Sequence, residues 1–251
     1  MIRTHGIEKI YGDFQALFPL DLHVRTGEVF GFLGPNGAGK TTTIRMISGV
    51  LPPTNGRVEI DGLDIEKHPV EARRRIGYIP DRPYLYEKLT AREFLAFVGG
   101  LFGMKRDEIR VEGDRLLEFH DLGDFADRLI EGFSHGMKQR LTLSAALLHS
   151  PRLLIVDEPM VGLDPRGHRQ IKDVFRQLAA QGRTVFLSTH SLDVAQEVCD
   201  RLAIIQKGRI VAQGTYEELR SENHPSANDL EEVFLRILEE DFDPPPQVKA
   251  G

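Results

Sequence analysis

Short apolar runs, separated by glycine, proline or charged residues, predict the strands of this chain. Residues 27–33, 153–157 and 184–188 are nearly continuous apolar runs, a pattern typical of strands that are covered on both faces. Residues 7–11 and 20–24 instead mix apolar and polar side chains, which predicts antiparallel strands ahead of the first of these runs. Shorter strands are expected at residues 57–62, 76–79, 202–206 and 209–212, the last two as a hairpin.

A helical periodicity dominates between residues 90 and 150 and returns near the C-terminus. Phe94, Phe97, Val98 and Leu101 fall on one helical face, and similar spacing predicts two more helices before residue 150. Elsewhere strands alternate with helices, which predicts a mainly parallel sheet with right-handed crossovers. The block from 90 to 150 is therefore expected to be an inserted helical lobe.

The tail has the spacing of an amphipathic helix over residues 230–238. Prolines at 244–246 end this helix, and the residues after it are predicted to be disordered. The sequence leaves open whether the helix packs on its own domain or on a second copy.

A glycine-rich segment follows the predicted strand at 27–33 and matches the pattern G-x-x-x-x-G-K-[ST] of phosphate-binding loops. Glycines allow a tight turn that brings backbone N–H groups to phosphate oxygens, and the lysine supplies a positive charge for the terminal phosphates. The threonine hydroxyl can coordinate Mg²⁺, and the next residues predict a helix whose positive end faces the anion. The nucleotide-binding residues predicted here are Gly34, Pro35, Asn36, Gly37, Ala38, Gly39, Lys40, Thr41 and Thr42.

Polar side chains follow two other predicted buried strands. Asp157 and Glu158 stand at the end of one strand, and His190 follows another. Because ligands collect at the carboxyl ends of strands in open α/β sheets, we expect these residues to meet the phosphate-binding loop. Asp157 suits Mg²⁺, Glu158 suits a general base that activates water, and His190 suits contact with the γ-phosphate. Solvated acids and a structural histidine are the alternatives.

Composition and net charge exclude several classes of protein. The formal net charge of −6 over 251 residues argues against nonspecific nucleic-acid binding. Cys199 is the single cysteine, so an intrachain disulfide and a cysteine-rich metal site are excluded. The N-terminus has no secretory pattern, and the most apolar stretch, 95–104, is far shorter than the roughly 20 residues that span a bilayer. We expect a cytosolic protein, or one held at a membrane through a partner.

The motifs resemble, in type and order, those of ABC transporter ATP-binding subunits. Residues 34–41 resemble the Walker A motif, 153–159 the Walker B motif, 162–165 the D-loop and 187–190 the switch-histidine motif. Residues 133–140 are similar to the ABC signature, usually L-S-G-G-Q. The resemblance extends from about Tyr11 to Gly214.

The resemblance implies an ATPase that uses ATP and Mg²⁺ and forms a head-to-tail dimer with a second ATP-binding subunit. Each ATP would meet the Walker motifs of one subunit and the signature of the other. The implied signature residues are Ser134, His135, Gly136 and Met137, and Asp164 is the implied D-loop residue. Ser134 is also a natural helix N-cap.

Three positions depart from the family pattern inside the signature, and a fourth departs in the Q-loop. Phe133 stands where leucine is usual. His135 stands where the first glycine of the pair is usual, and Met137 stands where glutamine is usual. Asp81 follows the strand at 76–79 where the family has the Q-loop glutamine, and its carboxylate is a candidate Mg²⁺ ligand. Tyr11 falls where the family places an aromatic ring on adenine; a strand-face tyrosine is the alternative.

The resemblance also implies a partner and a location. The Q-loop region, here 81–87, touches an integral membrane permease in this family, and residues 85–90, 136–140 and 229–234 look most like the ABC-2 type exporter subfamily. An ABC exporter subunit of this kind works at the cytoplasmic face of the cell membrane, held there by the permease.

These patterns together predict an α/β fold of the P-loop NTPase class, with a mainly parallel sheet, an N-terminal antiparallel β subdomain and an inserted helical subdomain. We expect the ATP-binding domain over residues 1–220, with the helical lobe at about 90–150, and the C-terminal helix and tail over 221–251.

Two other functions stay open at this point. A soluble ABC ATPase acting on ribosomes or DNA is disfavoured by the acidic charge and by the single ATPase domain. A nucleotide switch without appreciable hydrolysis is disfavoured by Glu158, since a carboxylate there is suited to activate water.

Overall fold

The strands form two sheets of different kinds in this computed structural model, which describes residues 1–82, 84–158, 165–223, 227 and 229–239. In chain order the strands are β1 (Ile2–Tyr11), β2 (Phe14–Val24), β3 (Val29–Leu33), β4 (Asn55–Ile60), β5 (Leu63–Asp64), β6 (Ile76–Ile79), β7 (Leu153–Asp157), β8 (Thr184–Thr189), β9 (Arg201–Gln206) and β10 (Arg209–Gly214). The α-helices are α1 (Lys40–Ile47), α2 (Pro69–Arg73), α3 (Ala91–Leu101), α4 (Arg106–Phe119), α5 (His135–Leu147), α6 (Pro165–Ala180), α7 (Leu192–Val198), α8 (Tyr216–Asn223) and α9 (Leu230–Glu239). The D-loop residue Asp164 and the tail after residue 239 lie outside the described residues.

The larger sheet has the strand order β10-β9-β3-β8-β7-β6. Strands β9, β3, β8, β7 and β6 are mutually parallel, and β10 pairs antiparallel with β9 as a hairpin. Every residue of β3, β7 and β8 is buried, because helices cover both faces of a parallel sheet. The predicted mainly parallel sheet is confirmed.

The smaller sheet is antiparallel, with the order β2-β1-β4-β5. Its inner face forms one hydrophobic cluster with α1 and the larger sheet. In this cluster Ile2 and Val58 pack with Ile44 of α1 and with Phe32 of β3. This sheet therefore covers α1 and confirms the predicted N-terminal antiparallel subdomain. Strands β1 and β2 end where the sequence pattern predicts but begin earlier, at Ile2 rather than residue 7 and at Phe14 rather than residue 20.

The helical lobe comprises α3, α4 and α5, inserted between β6 and β7 as predicted. Thr90 and Glu93 form a capping box that begins α3, which satisfies two backbone N–H groups at the helix start. Phe94 and Leu95 are buried, but Phe97 and Leu101 are 41% and 70% exposed. The periodicity thus predicts the helix correctly, while half of its apolar face lies at the surface. No helix among the described residues is both long and apolar enough to span a bilayer.

The C-terminal helix α9 packs on its own chain. Leu230, Val233 and Ile237 are buried in a cluster with Leu33 of β3 and Ala195 of α7. Of the two alternatives that the sequence leaves open, packing on the same chain is therefore the one observed. The domain boundary predicted after residue 220 falls inside α8.

Replacing Leu230 by alanine should lower the free energy of unfolding by about 2–5 kcal/mol, because the buried side chain leaves a cavity. Leu235 lies on the same helix and is 49% exposed, so Leu235→Ala should change that energy by less than about 0.5 kcal/mol. Urea unfolding of both variants measures the difference. Equal effects would contradict the packing of α9 on the core.

A buried histidine ties α4 to α5. His120 is 2% exposed, and its Nδ1 lies 2.8 Å from Oγ of Ser144. Burial lowers the pKa of His120 from 6.5 to about 4, so the folded chain holds this imidazole neutral at physiological pH.

The His120 pKa makes the lobe sensitive to acid. Between pH 6.5 and 4 the unfolded chain binds a proton that the folded chain does not, so stability falls as pH falls. The contribution is about 1 kcal/mol between pH 7 and pH 5.5. Urea midpoints at these two pH values should differ less in His120→Gln than in the wild type, whereas His68→Gln, at an exposed position, should behave as the wild type. An unchanged difference in His120→Gln would contradict this assignment.

Candidate functional site

The phosphate-binding loop joins β3 to α1, and its glycines meet two different steric demands. Gly37 and Gly39 have φ angles of 79° and 110°, a region that side chains disfavour. Gly34 has no such angle, but a Cβ there would lie 2.3 Å from the carbonyl oxygen of Ile205. A larger residue at position 34 would therefore push the loop away from β9.

The predicted loop residues separate into two groups. One group lines a cleft of about 450 Å³ and consists of Asn36, Gly37, Gly39, Lys40, Thr41 and Thr42. The other group, Gly34, Pro35 and Ala38, holds the loop in place: the Ala38 N–H donates to the Pro35 carbonyl at 3.2 Å, and the Ala38 carbonyl accepts from Gly208 N–H at 2.9 Å.

Lys40 is a buried cation at the start of α1. Its side chain is 7% exposed, and its Nζ donates to the carbonyl oxygens of Gly34 at 2.7 Å and Pro35 at 3.3 Å. Burial lowers the pKa of Lys40, and the nearby carboxylates of Glu158 and Asp157 oppose this shift. A buried ammonium group with donors directed at neutral carbonyls is well suited to bind a phosphate anion.

Strand order explains why the other predicted residues reach the same cleft. Strands β3, β8 and β7 are neighbours and parallel, so their carboxyl ends meet at one edge of the sheet. The loop follows β3, Asp157 ends β7 with Glu158 directly after it, and His190 follows β8. The cleft is lined by all of these and also by Tyr11 and Asp81.

Glu158 is held in a fixed and unusual geometry. Its φ angle is 52°, which costs a residue with a side chain of the order of 1 kcal/mol. Its backbone N–H donates to the Ser188 carbonyl at 3.0 Å. Its carboxylate lies 2.8 Å from His190 Nδ1 and 4.0 Å from Lys40 Nζ. The carboxylate therefore has a partner on each side and faces the cleft.

Asp157 is the more deeply buried acid, at 2% exposure. Burial raises the pKa of Asp157, and the charges of Glu158 and Asp81 add to the rise; the hydroxyl groups of Ser188 and Thr41 oppose it. A buried carboxylate with an elevated pKa has most to gain from a nearby cation.

The oxygen donors of the cleft fit Mg²⁺. Thr41, Asp81 and Asp157 offer one hydroxyl and two carboxylates, which are hard ligands of the type that Mg²⁺ prefers. Within the described ranges, no three His, Cys, Asp or Glu side chains are grouped so as to hold a metal ion. This donor set suits an ion that takes its remaining ligands from phosphate and water.

Two aromatic rings lie at the outer end of the cleft, although the sequence motifs indicate only one. Tyr11 and Phe14 pair across the turn between β1 and β2, and both line the cleft, with Phe14 68% exposed. Gly12 and Asp13 form the two-residue turn that brings them together. A glycine-containing two-residue turn between two predicted strands is a hairpin signal, so Phe14 was accessible to sequence reasoning.

The signature residues lie apart from this cleft. Ser134 caps α5 by accepting from the Met137 N–H at 3.3 Å, as predicted for an N-cap, and His135 and Gly136 begin the helix. None of Ser134, His135, Gly136 and Met137 lines the cleft among the described residues. The chain thus presents two separate candidate phosphate-binding surfaces.

Comparison with known proteins finds a matching family model and relatives of similar sequence. The family model described as ABC transporter matches residues 17–161. The daunorubicin resistance ATP-binding protein DrrA3 of Streptomyces coeruleorubidus is 41% identical over 235 residues, which are 94% of this chain and 73% of that protein. The Nod factor export ATP-binding protein I of Paraburkholderia xenovorans is 40% identical over 238 residues, 95% of this chain and 75% of that protein.

Solved structures of similar chains have the same fold. An ATP-binding subunit of an ABC transporter has a TM-score of 0.90 and 32% identity, and covers 95% of this chain and 100% of its own. A dimeric ATP-binding cassette in a post-hydrolysis state, bound to ADP and Pi, has a TM-score of 0.79 and 26% identity, and covers 86% of this chain and 98% of its own.

Proposed function

Since this chain belongs to the ABC transporter family and is one of its ATP-binding, ATP-hydrolysing subunits, we propose that it powers a separate membrane permease that exports its substrate. The names of its relatives support the direction of transport, because they are proteins of drug resistance and of Nod factor export. The permease would hold the chain at the cytoplasmic face of the cell membrane.

The ATP hydrolysis on which this proposal depends is supported by the convergence of complementary groups in one cleft. A buried cation, three carboxylates, a histidine and a helix N-terminus line the same 450 Å³ space. Phosphoryl transfer is catalysed almost entirely by positioning and charge stabilisation, and this cleft supplies both.

In the proposed mechanism, Glu158 accepts a proton from the attacking water. His190 at 2.8 Å holds the Glu158 carboxylate in place and also faces the γ-phosphate. Lys40 leaves the carbonyls of Gly34 and Pro35 and donates to the terminal phosphates, while the amides of residues 36–42 bind the remaining phosphate oxygens. Tyr11 and Phe14 stack on the adenine at the outer end.

Thr41, Asp157 and Asp81 are proposed to hold Mg²⁺. When bound, such an ion neutralises charge that develops on the phosphates. Asp157 would offer a buried carboxylate to this ion, and Thr41 would offer its hydroxyl from the first turn of α1.

A second ATP-binding subunit is proposed to complete the site. The surface formed by Ser134, His135, Gly136 and Met137 would face the γ-phosphate of the ATP in that subunit. The dimeric structure of a related cassette supports the formation of a dimer. The N-terminus of α5 offers backbone N–H groups to an anion, and Ser134 fixes its first turn.

An exposed apolar surface on the lobe is the proposed contact with the permease. We call Tyr84, Tyr86, Phe97 and Leu101 the aromatic patch; Tyr84 is 82% exposed, and the rings of Tyr86 and Phe97 meet edge to face at 5.2 Å. Beside it lies a groove of about 480 Å³ whose lining includes Tyr78, Phe94 and Phe102. Exposed aromatic clusters are typical of interfaces.

Loss of this contact should impair capture of the permease without affecting ATP binding. In Tyr84→Ser/Phe97→Ser, capture of the permease should fall about tenfold or more, and ATP binding by the isolated chain should stay normal. The control is Val111→Ser/Phe119→Ser, which removes two exposed apolar side chains of α4 and should leave capture unchanged. Pull-down with quantitative mass spectrometry measures both; equal capture by all variants would rule out the patch as the contact.

The proposed function is tested by purifying Glu158→Gln from its native membranes in the presence of ATP. We expect a multi-spanning membrane protein to accompany the chain in stoichiometric amount. A ribosomal or DNA-binding partner, with no membrane protein, would contradict the transport function and leave the ATPase intact. The relatives compared above carry names of resistance and export proteins, which give no support to that alternative.

A further inference from the structure

The helical lobe contains a groove that neither the nucleotide cleft nor the aromatic patch uses. It lies between α3 and α4 and has a volume of about 520 Å³. Its floor is apolar and includes Leu95, Ile109 and Leu117. The residues that line it are all different from those that line the nucleotide cleft, so the two spaces can be occupied independently.

Small residues on α3 leave this groove open. Gly99 is explained by packing, since a Cβ there would lie 2.6 Å from Ile109. Gly100 is not explained in this way, because a Cβ there would meet no atom within 4 Å. A glycine inside a helix costs about 1 kcal/mol relative to alanine. Gly100 and the neighbouring Ala96 keep the groove open at that cost.

The rim of the groove is positively charged. It carries Arg92, Arg106 and Arg110 against the single acid Asp114, and Arg92 is already paired with Asp114 and with Asp127. Arg106 and Arg110 stand one turn apart on α4, and within the described part of the chain neither forms an ion pair. Like charges at this spacing destabilise a helix. The chain as a whole is acidic, with a formal net charge of −6, so this basic pair contrasts with the rest of the molecule.

We propose that this groove binds a single-chain amphiphile with an anionic head group, of the fatty-acid class. The alkyl chain lies over Leu95, Ile109 and the small residues, where it removes apolar surface from water. The carboxylate lies between Arg106 and Arg110, which offer charge-assisted hydrogen bonds. The volume is in the range of about 300–1,000 Å³ that small-molecule sites occupy, which favours such a ligand over a folded protein segment.

Three probes separate the contribution of the ligand's alkyl chain from that of its head-group charge. Isothermal titration calorimetry of the full-length chain with dodecanoate, below its critical micelle concentration, should give one site. Dodecyltrimethylammonium has the same chain with a positive head, and acetate has the head without the chain. Both should bind at least about tenfold more weakly than dodecanoate. Equal binding of the cationic amphiphile, or a stoichiometry well above one, would overturn the proposal.

Two variants locate the site on the chain. Gly100→Leu fills the groove without a clash, and because leucine favours helix the variant should be at least as stable as the wild type. It should weaken dodecanoate binding about tenfold or more, as should Arg106→Gln/Arg110→Gln. Arg115→Gln makes the same kind of charge change on α4 at a residue outside the groove and should bind normally.

Unchanged binding in both Gly100→Leu and the double arginine variant would exclude the groove. Self-association of the chain that Gly100→Leu abolishes, without dodecanoate binding, would show that a second copy occupies the groove and would equally contradict the proposal. Lys40→Ala should bind dodecanoate as the wild type does, because the two spaces share no residue. The amphiphile site is thereby tested independently of ATP and of the permease.

Discussion

Replacing Glu158 by glutamine is expected to lower ATP turnover by a factor of about 10²–10⁴ and to leave ATP binding close to normal. Glutamine keeps the shape of the side chain and its hydrogen bond to His190, but it cannot accept the proton of the attacking water. The γ-phosphate then stays in place, so a dimer closed on ATP should persist. The variant therefore loses the rate of ATP hydrolysis and keeps the affinity for ATP.

Phosphate release under saturating ATP measures turnover, and equilibrium dialysis with labelled ATP measures affinity. Glu71→Gln, which changes an exposed carboxylate on α2, is the matched control and should leave both unchanged. Turnover near that of the wild type in Glu158→Gln would remove Glu158 as the general base.

Lys40→Ala should act on affinity, with an expected rise in the dissociation constant for ATP of about 10- to 100-fold. The Lys40 ammonium is buried beside the phosphate-binding loop and donates to the carbonyls of Gly34 and Pro35, so its loss removes the main positive charge of the cleft. The free energy of unfolding without ATP should fall by about 1–3 kcal/mol, because the variant leaves the carbonyls of Gly34 and Pro35 and the Glu158 carboxylate without this partner.

Lys67→Ala is the control for this variant, since the Lys67 side chain is 76% exposed and lies outside the cleft. Its affinity for ATP should equal that of the wild type. Unchanged ATP binding in Lys40→Ala would contradict the assignment of residues 34–41 as the phosphate-binding loop.

The core of the fold was predictable because its signals are local and redundant. The buried strands β3, β7 and β8 are continuous apolar runs, and parallel pairing then brings their carboxyl ends, with Lys40, Asp157, Glu158 and His190, to one cleft. The hairpins, the three helices of the lobe and α9 were also visible as periodicities. The roles of the individual cleft residues stay predictions until the variants are measured.

Other features depend on contacts between distant residues, so periodicity does not report them. The helical pattern of α3 cannot tell that Phe94 is buried and Phe97 exposed, because that depends on where α4 and α5 pack. Likewise, the steric demand on Gly34 comes from Ile205 of β9, and the choice of partner for α9 comes from the surface of α7 and β3. The open groove beside Gly100 follows from helix spacing in the same way.

We propose that ATP hydrolysis in this cleft is coupled to a membrane permease. The most direct measurement is the rate of phosphate release by the chain alone and by the chain with its captured permease in lipid vesicles, each as wild type and as Glu158→Gln. We expect the permease to stimulate the wild-type rate and Glu158→Gln to abolish it. A wild-type rate that is the same with and without the permease would contradict the coupling.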